Sequence, residues 1–156
     1  MLDRIRSLLR EAANGSFDDR HRPDALQVAV AGLLVEVARM ADDFDPAERA
    51  TIRRLLAGRF GLNAEDVDAL IETADQRVQE AGDFWTFARV VKDRFDEAQR
   101  IAMIEMMWEV AYADGRLDDF EASLLRRVAG LIYVDDFASG AARKRVLTRL
   151  GIDAAG

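Results

Sequence analysis

Apolar residues recur along most of the chain at intervals of three and four positions, the spacing of one face of an α-helix. The pattern predicts a short amphipathic helix over residues 2–13 and a nearly all-apolar helix over residues 24–41. A helix that is apolar around its whole circumference must be enclosed by other helices. Residues 24–41 are therefore predicted to form the first central helix of the fold.

Helix-start signals divide the rest of the chain. Asp45 precedes a proline and is followed three positions later by Glu48, and Asp96 is followed in the same way by Gln99, so both pairs predict a capping box. The next helices are predicted to run from 45 to about 60, from 63 to near 82, from 83 through 91, from 96 toward a turn at Gly115, from 119 to about 132 and from 139 to 150.

The helix that follows Asp96 is predicted to be the second central helix, because most of its positions are apolar. Its cluster Met103, Met106, Met107 and Trp108 permits an adaptable binding surface, but the helical spacing favours core packing. No stretch of the sequence shows a convincing strand pattern. The predicted fold class is all-α, a compact bundle of about seven to eight helices.

An internal repeat relates two parts of the chain. Asp45 and Glu48 lie 73 residues before Asp118 and Glu121, and the alignment needs no gap. Two helix-turn-helix halves, near 24–62 and 97–134, are thus predicted to pack their central helices together about an approximate two-fold axis. The same shift places Glu36 on Glu109 and Arg53 and Arg54 on Arg126 and Arg127.

With 156 residues, the chain is long enough for one domain with a hydrophobic core and short for two. We divide it into an N-terminal helix with its connection, residues 1–23, and a helical domain, residues 24–151. The most apolar segment, 25–35, falls short of the roughly 18 residues that span a membrane, so no direct membrane insertion is expected. The N-terminus has no secretory pattern, which favours the cytoplasm.

The formal net charge of −7 argues against nucleic acid and anionic membrane surfaces as partners. Cysteine is absent from the sequence, which excludes thiolate catalysis and sulfur-ligated zinc. Histidine occurs once, as His21, and no nucleophile motif accompanies it. No enzyme is predicted. A deep pocket that brings together carboxylates in unlike environments would reopen that possibility.

The turn around Gly115 carries more carboxylates than a turn requires. Helix capping accounts for Asp118 and Glu121, and a left-handed backbone accounts for Gly115. Asp114 is harder to explain, because a negative side chain at a helix C-terminus is disfavoured by about 0.3–1 kcal/mol. An arginine, a backbone cap on the next helix or a bound divalent cation is expected to compensate it.

Oxygen ligands suit calcium or magnesium better than zinc, and both acidic turns supply several. The spacing is unlike an EF-hand, whose loop spans about twelve positions, so capping alone stays the competing interpretation. The candidate metal ligands are Asp114, Asp118 and Glu121 in the second turn and Asp42, Asp43, Asp45 and Glu48 in the first.

Residues 107–121, Met-Trp-Glu-Val-Ala-Tyr-Ala-Asp-Gly-Arg-Leu-Asp-Asp-Phe-Glu, resemble the signature region of the TerB-like family associated with tellurite resistance. Leu-Leu-Arg-Arg-Val-Ala at 124–129 continues that resemblance, and residues 34–48 are similar to the family's first repeat. The first repeat has Ala41 and Asp42 where the second has Asp114 and Gly115. This departure makes a symmetric two-ion arrangement doubtful.

The resemblance implies a compact all-α fold with two related halves and acidic residues that bind a metal ion. It also implies a role in stress and tellurite-resistance systems, beside an integral membrane protein and calcium-binding partners. A similar domain occurs in membrane-anchored J-domain co-chaperones. We therefore expect a non-enzymatic cytoplasmic module that binds partner proteins and a divalent cation. The alternative is a purely structural or co-chaperone-like adaptor without a metal.

Overall fold

The computed structural model describes residues 23–41, 44–81 and 84–152. These residues form seven α-helices and no strand, which confirms the predicted all-α class. The helix predicted over residues 2–13 lies outside the described residues. The helices are α1 (Ala25–Ala41), α2 (Pro46–Phe60), α3 (Ala64–Ala81), α4 (Trp85–Arg94), α5 (Glu97–Ala111), α6 (Asp119–Leu131) and α7 (Asp136–Leu150).

Most helix starts follow the predicted capping residues. The capping box at Asp96 and Gln99 forms with both of its hydrogen bonds. The last helix begins earlier than predicted, at Asp136 instead of Ser139, because the carboxylate of Asp135 accepts a hydrogen bond from the N–H of Ala138. None of the described helices is both long enough and apolar enough to cross a membrane.

Helix α1 lies at the centre of the fold, as its apolar pattern predicts. Every residue from Val28 to Ala38 is buried. Helices α2, α3, α4, α5 and α6 all pack against it. Because α1 presents no solvated face along this length, the other helices must surround it to remove its apolar surface from water.

Helices α5 and α6 repeat the arrangement of α1 and α2. The two central helices α1 and α5 contact each other, α1 also contacts α6, and α5 also contacts α2. Within α5, Met103 and Met107 are fully buried, Trp108 is nearly so, and Met106 is partly buried against the core, so the cluster packs as core more than as a surface. These reciprocal contacts are consistent with two related halves, and the approximate two-fold axis stays a prediction of the sequence repeat.

The basic helix α7 packs on α5 and pairs with its carboxylates. Arg145 donates to Glu105 at 2.6 Å, and Arg149 donates to Glu105 at 3.1 Å and to Glu109 at 2.7 Å. Much of the basic face of α7 thus neutralises the acidic stripe of the second central helix, so those arginines are committed within the fold.

Gly32 of α1 packs directly against the ring of Phe87 in α4. A Cβ atom placed on Gly32 would lie 2.6 Å from the ring of Phe87, well inside van der Waals contact. A Cβ atom placed on Gly58, in α2, would meet no atom within 4 Å. Glycine is therefore required at position 32 for helix packing and is not required at position 58.

The two glycines give a matched pair of substitutions. We expect Gly32→Ala to lower the free energy of unfolding by about 1–3 kcal/mol, because the ring of Phe87 must move within a packed core. Gly58→Ala is expected to raise it by up to about 1 kcal/mol, through helix propensity alone. Urea unfolding of both variants measures these changes, and an equal effect at the two positions would contradict the packing described for α1.

Candidate functional site

The two acidic turns begin their helices with the same aspartate geometry. The carboxylate of Asp45 accepts from the N–H of Ala47 at 2.7 Å, and that of Asp118 accepts from the N–H of Phe120 at 2.8 Å. Both aspartates therefore act as helix N-caps, as capping signals predict. Capping accounts for these two aspartates and for one hydrogen bond of Glu121, whose carboxylate accepts from the backbone N–H of Asp118. It does not account for the approach of Glu48 and Glu121 to each other.

Glu48 and Glu121 point into the protein instead of lying along the helix surface. Glu48 is only 6% exposed to solvent and Glu121 only 4%. Each carboxyl group lies within hydrogen-bonding reach of the other. The two glutamates occupy equivalent positions in the two halves of the sequence repeat. The packing of the two halves therefore places two equivalent residues next to each other. We call Glu48 and Glu121 the carboxyl pair.

Burial and repulsion both disfavour ionisation of the carboxyl pair. Burial raises the pKa of Glu48 to about 8, and the negative charges of Glu121, Asp45 and Asp114 add to the shift. Burial likewise raises the pKa of Glu121 to about 7, although the backbone N–H of Asp118 opposes the shift. Two carboxyl groups this close share a proton near neutral pH unless a cation replaces it.

Each member of the pair also has an unsatisfied oxygen atom. Oε2 of Glu48 and Oε2 of Glu121 are both buried and accept no hydrogen bond. A buried polar atom without a partner costs about 1–3 kcal/mol, so such atoms call for a physical explanation. The carboxyl pair thus contains two buried oxygen atoms that could accept a hydrogen bond or bind a cation and that have no partner in the protein.

Another buried glutamate shows how the fold treats a carboxylate that has only a structural role. Glu109 is 3% exposed and receives hydrogen bonds from Arg54 and Arg149. Burial alone would raise the pKa of Glu109, but these two arginines hold it below its ordinary value. Glu109 is thus a neutralised anion, whereas the carboxyl pair has no arginine ion pair within the described ranges.

Asp114 has a backbone partner. The N–H of Arg116 donates to Oδ1 of Asp114 at 3.0 Å, and Gly115 between them has a φ of +84°. This N–H group lies within the turn, before helix α6 begins, so the bond is not the expected cap on that helix. It makes Asp114 part of the turn instead. Its carboxylate still raises the pKa of both Glu48 and Glu121, so it lies within their electrostatic reach.

The described residues set a limit on how a metal ion would be held. Across residues 23–41, 44–81 and 84–152, no three residues of the kinds that ligate metals form a group able to hold an ion together. Asp42 and Asp43 lie outside those ranges. The carboxyl pair alone offers two carboxylates, which suits an ion that keeps several of its water ligands.

Pairing of the two glutamates is the feature that sequence reasoning missed. The sequence pattern assigns Glu48 and Glu121 to two separate capping boxes, each satisfied within its own turn. The 73-residue repeat carried the missing signal, because equivalent residues close to a two-fold axis necessarily face each other. Distances between the turns depend on helix packing, which the repeat alone does not specify.

Comparison with known proteins gives a family. The family model described as tellurite resistance protein TerB matches residues 27–144, which is more than half of the chain and includes both acidic turns. No curated protein matches the chain, and no solved structure matches it. The match confirms the resemblance found in the sequence.

The carboxyl pair makes stability depend on pH in an unusual direction. The ordinary pKa of a glutamate is 4.5, and the folded protein holds the protons of Glu48 and Glu121 more tightly than the unfolded chain does. The folded state therefore binds more protons between pH 4.5 and about 8, so the free energy of unfolding falls as pH rises through that window. We expect a higher melting temperature at about pH 5.5 than at about pH 8.5.

Glu48→Gln tests the origin of this dependence. It should raise the free energy of unfolding at about pH 8.5 by on the order of 1–2 kcal/mol and flatten the pH profile, because a neutral amide cannot ionise. Glu109→Gln is the matched control, and loss of two charged hydrogen bonds should lower the free energy by about 1–3 kcal/mol. If Glu48→Gln destabilises the protein as much as the control at pH 8.5, the pair is not strained by its charge.

Proposed function

The chain belongs to the TerB family of tellurite resistance proteins, and we propose that it acts there as a non-enzymatic helical module that binds a divalent cation at its carboxyl pair. The observation that carries the proposal is the meeting of Glu48 and Glu121, both buried and each with an unsatisfied Oε2 atom. A divalent cation would supply the positive charge that arginines supply to Glu109.

The surroundings of the carboxyl pair favour a cation over any other small ligand. Three further carboxylates, those of Asp45, Asp114 and Asp118, act electrostatically on one or both glutamates. Their combined field attracts positive charge and opposes anions. Glu48 and Glu121 would hold the ion directly, and the aspartates would contribute through their charge.

Calcium and magnesium are the ions that this donor set suits. Both are hard cations that take oxygen ligands, and magnesium in particular is often bound through one or two carboxylates while it keeps several waters. Zinc prefers nitrogen and sulfur donors, which the pair does not offer. Because the carboxyl pair holds a proton near neutral pH, cation binding releases that proton, and the affinity should rise with pH.

We further propose that the module works in the cytoplasm by binding other proteins, including an integral membrane protein of a tellurite-resistance system. The support is the family match over both acidic turns together with the arrangement of the charges. A cation that replaces a proton between the two halves would couple ion or proton concentration to the distance between the starts of α2 and α6, where Glu48 and Glu121 meet. The affinity for a partner protein would then depend on the ion or proton concentration.

Thermal unfolding with and without ions tests the proposal. Calcium or magnesium at ten times its dissociation constant should stabilise the folded protein by about 1.4 kcal/mol, which raises the melting temperature by about 3–6 °C over the value in chelator. The rise should be larger at about pH 8.5 than at about pH 6, because protons compete with the ion.

Two double variants make this test specific. Glu48→Gln with Glu121→Gln removes both ligands and should abolish the response to either ion. Glu72→Gln with Glu80→Gln removes the same charge from exposed positions of α3 and should leave the response unchanged. An equal response of both double variants would show that the ions act on net charge alone, and superimposed curves for the unsubstituted protein would remove the cation from the proposal.

A further inference from the structure

A groove runs between α4 and the C-terminal end of α6, away from the carboxyl pair. One cavity of about 530 Å³ and an adjoining one of about 340 Å³ share Trp85, Gly130 and Leu131 as lining residues. Gly130 lies nine residues after Glu121 in the same helix, about 14 Å along its axis. We call this feature the α4–α6 groove.

The α4–α6 groove is basic, although the chain as a whole carries a net charge of −7. Arg89 and Lys92 line the larger cavity, and Arg126 and Arg127 line the smaller one. No aspartate or glutamate is among the described residues that line either cavity. Four cations and no anion make the groove complementary to a negatively charged ligand.

The charges in the groove are mostly uncommitted to ion pairs. Lys92 lies 3.8 Å from its sequence neighbour Asp93, at the edge of ion-pair range. Across the described ranges, no carboxylate forms an ion pair with Arg89, Arg126 or Arg127. This differs from Arg145 and Arg149 of α7, whose carboxylate partners belong to the fold.

Tyr133 borders the groove in a backbone conformation that tyrosine rarely adopts. Its φ is +62°, and the N–H of Val134 closes the helix end by donating to the carbonyl of Ala129 at 2.8 Å. Helices α2 and α7 end with the same hydrogen-bond pattern, but there the left-handed residue is glycine, Gly61 or Gly151. At Tyr133, a strained position carries a large side chain.

Burial in the core does not compensate the strained backbone of Tyr133, because its side chain is exposed. It is 71% exposed, and it stands over the ammonium group of Lys92, whose Nζ lies 5.2 Å from the ring centroid. Strained residues persist where the surroundings or a function require them. The ring therefore forms an exposed wall of the groove.

We propose that the α4–α6 groove binds an acidic peptide segment of a partner protein, with an apolar side chain of that segment seated between Tyr133 and Leu131. Carboxylates on either side of the apolar anchor pair with Arg89 and Lys92 at one end and with Arg126 and Arg127 at the other. The cavity volume falls within the range of about 300–1,000 Å³ that is usual for ligand sites.

Fluorescence polarisation with a defined labelled peptide tests the proposal. The probe is a hexapeptide with leucine and phenylalanine at its centre and two glutamates on each side. We expect it to bind at least about tenfold more tightly than one with lysine flanks or one with a central glycine pair. The affinity should also fall as salt is raised from about 50 to 300 mM, because the charges lie at the surface.

Variants with matched controls locate the site. Gly130→Phe should fill the groove and weaken binding of the acidic peptide by at least about tenfold, since Gly130 lines both cavities and a Cβ atom there meets no atom within 4 Å. Gly58→Phe, at an equally open helical position outside the groove, should not. Lys92→Glu with Arg126→Glu should abolish binding, whereas Arg77→Glu with Lys144→Glu, an equal charge change elsewhere, should not.

Tyr133→Gly separates binding from folding. Relief of the left-handed strain should raise the melting temperature by about 2–4 °C, while loss of the ring should weaken peptide binding by several-fold. A variant that is more stable and yet binds less cannot be explained by partial unfolding. Unchanged peptide affinity in this variant would overturn the role of Tyr133, and with it the seat of the apolar anchor.

Other occupants of the groove have distinct signatures. A second copy of the chain would give a concentration-dependent dimer in analytical ultracentrifugation that Gly130→Phe abolishes. An anionic lipid surface would give binding to phosphatidylglycerol vesicles that Lys92→Glu with Arg126→Glu abolishes. Either result without binding of the acidic peptide overturns the proposal, as does equal affinity for the acidic and basic peptides.

Discussion

The fold depends on the burial of α1. From Val28 to Ala38 this helix has no solvated face, so five other helices are arranged to enclose it. The second half of the chain repeats the first, and the reciprocal contacts of α1 with α6 and of α5 with α2 follow from that repetition. Such packing brings the starts of α2 and α6 together, and with them Glu48 and Glu121. The carboxyl pair is thus a consequence of how the core is closed.

The buried glutamates Glu109, Glu48 and Glu121 differ in how their negative charge is balanced. Glu109 is matched by Arg54 and Arg149, and its charge is stable at neutral pH. Glu48 and Glu121 instead lie against each other, so burial and mutual repulsion both disfavour their ionised forms. The first arrangement connects helices α2, α5 and α7. In the second arrangement burial and repulsion favour retention of a proton, and we propose ion binding there for that reason.

Local signals in the sequence predict the helices well. Asp45, Asp96 and Asn63 mark starts that the structure confirms, and the glycine at 61 marks an end, because caps are determined within one turn of chain. The sequence pattern does not single out Asp135 as a cap, so the predicted start of α7 lies three residues too late. The carboxyl pair was not predicted, because two local capping signatures hid a contact that depends on tertiary packing. The α4–α6 groove was not predicted either, since it depends on the separation of two helices and on a left-handed Tyr133.

The central claim is that Glu48 and Glu121 share a proton that calcium or magnesium displaces. Carbon-13 NMR of the glutamate carboxyl carbons reports the protonation state of each group as the pH is changed. The two single glutamine variants assign the resonances of Glu48 and Glu121. Without ions, both resonances should titrate well above the ordinary value of 4.5, and with millimolar calcium or magnesium their midpoints should fall toward it. Titration of both near 4.5 in chelator, or elevated midpoints that neither ion moves, would contradict the account.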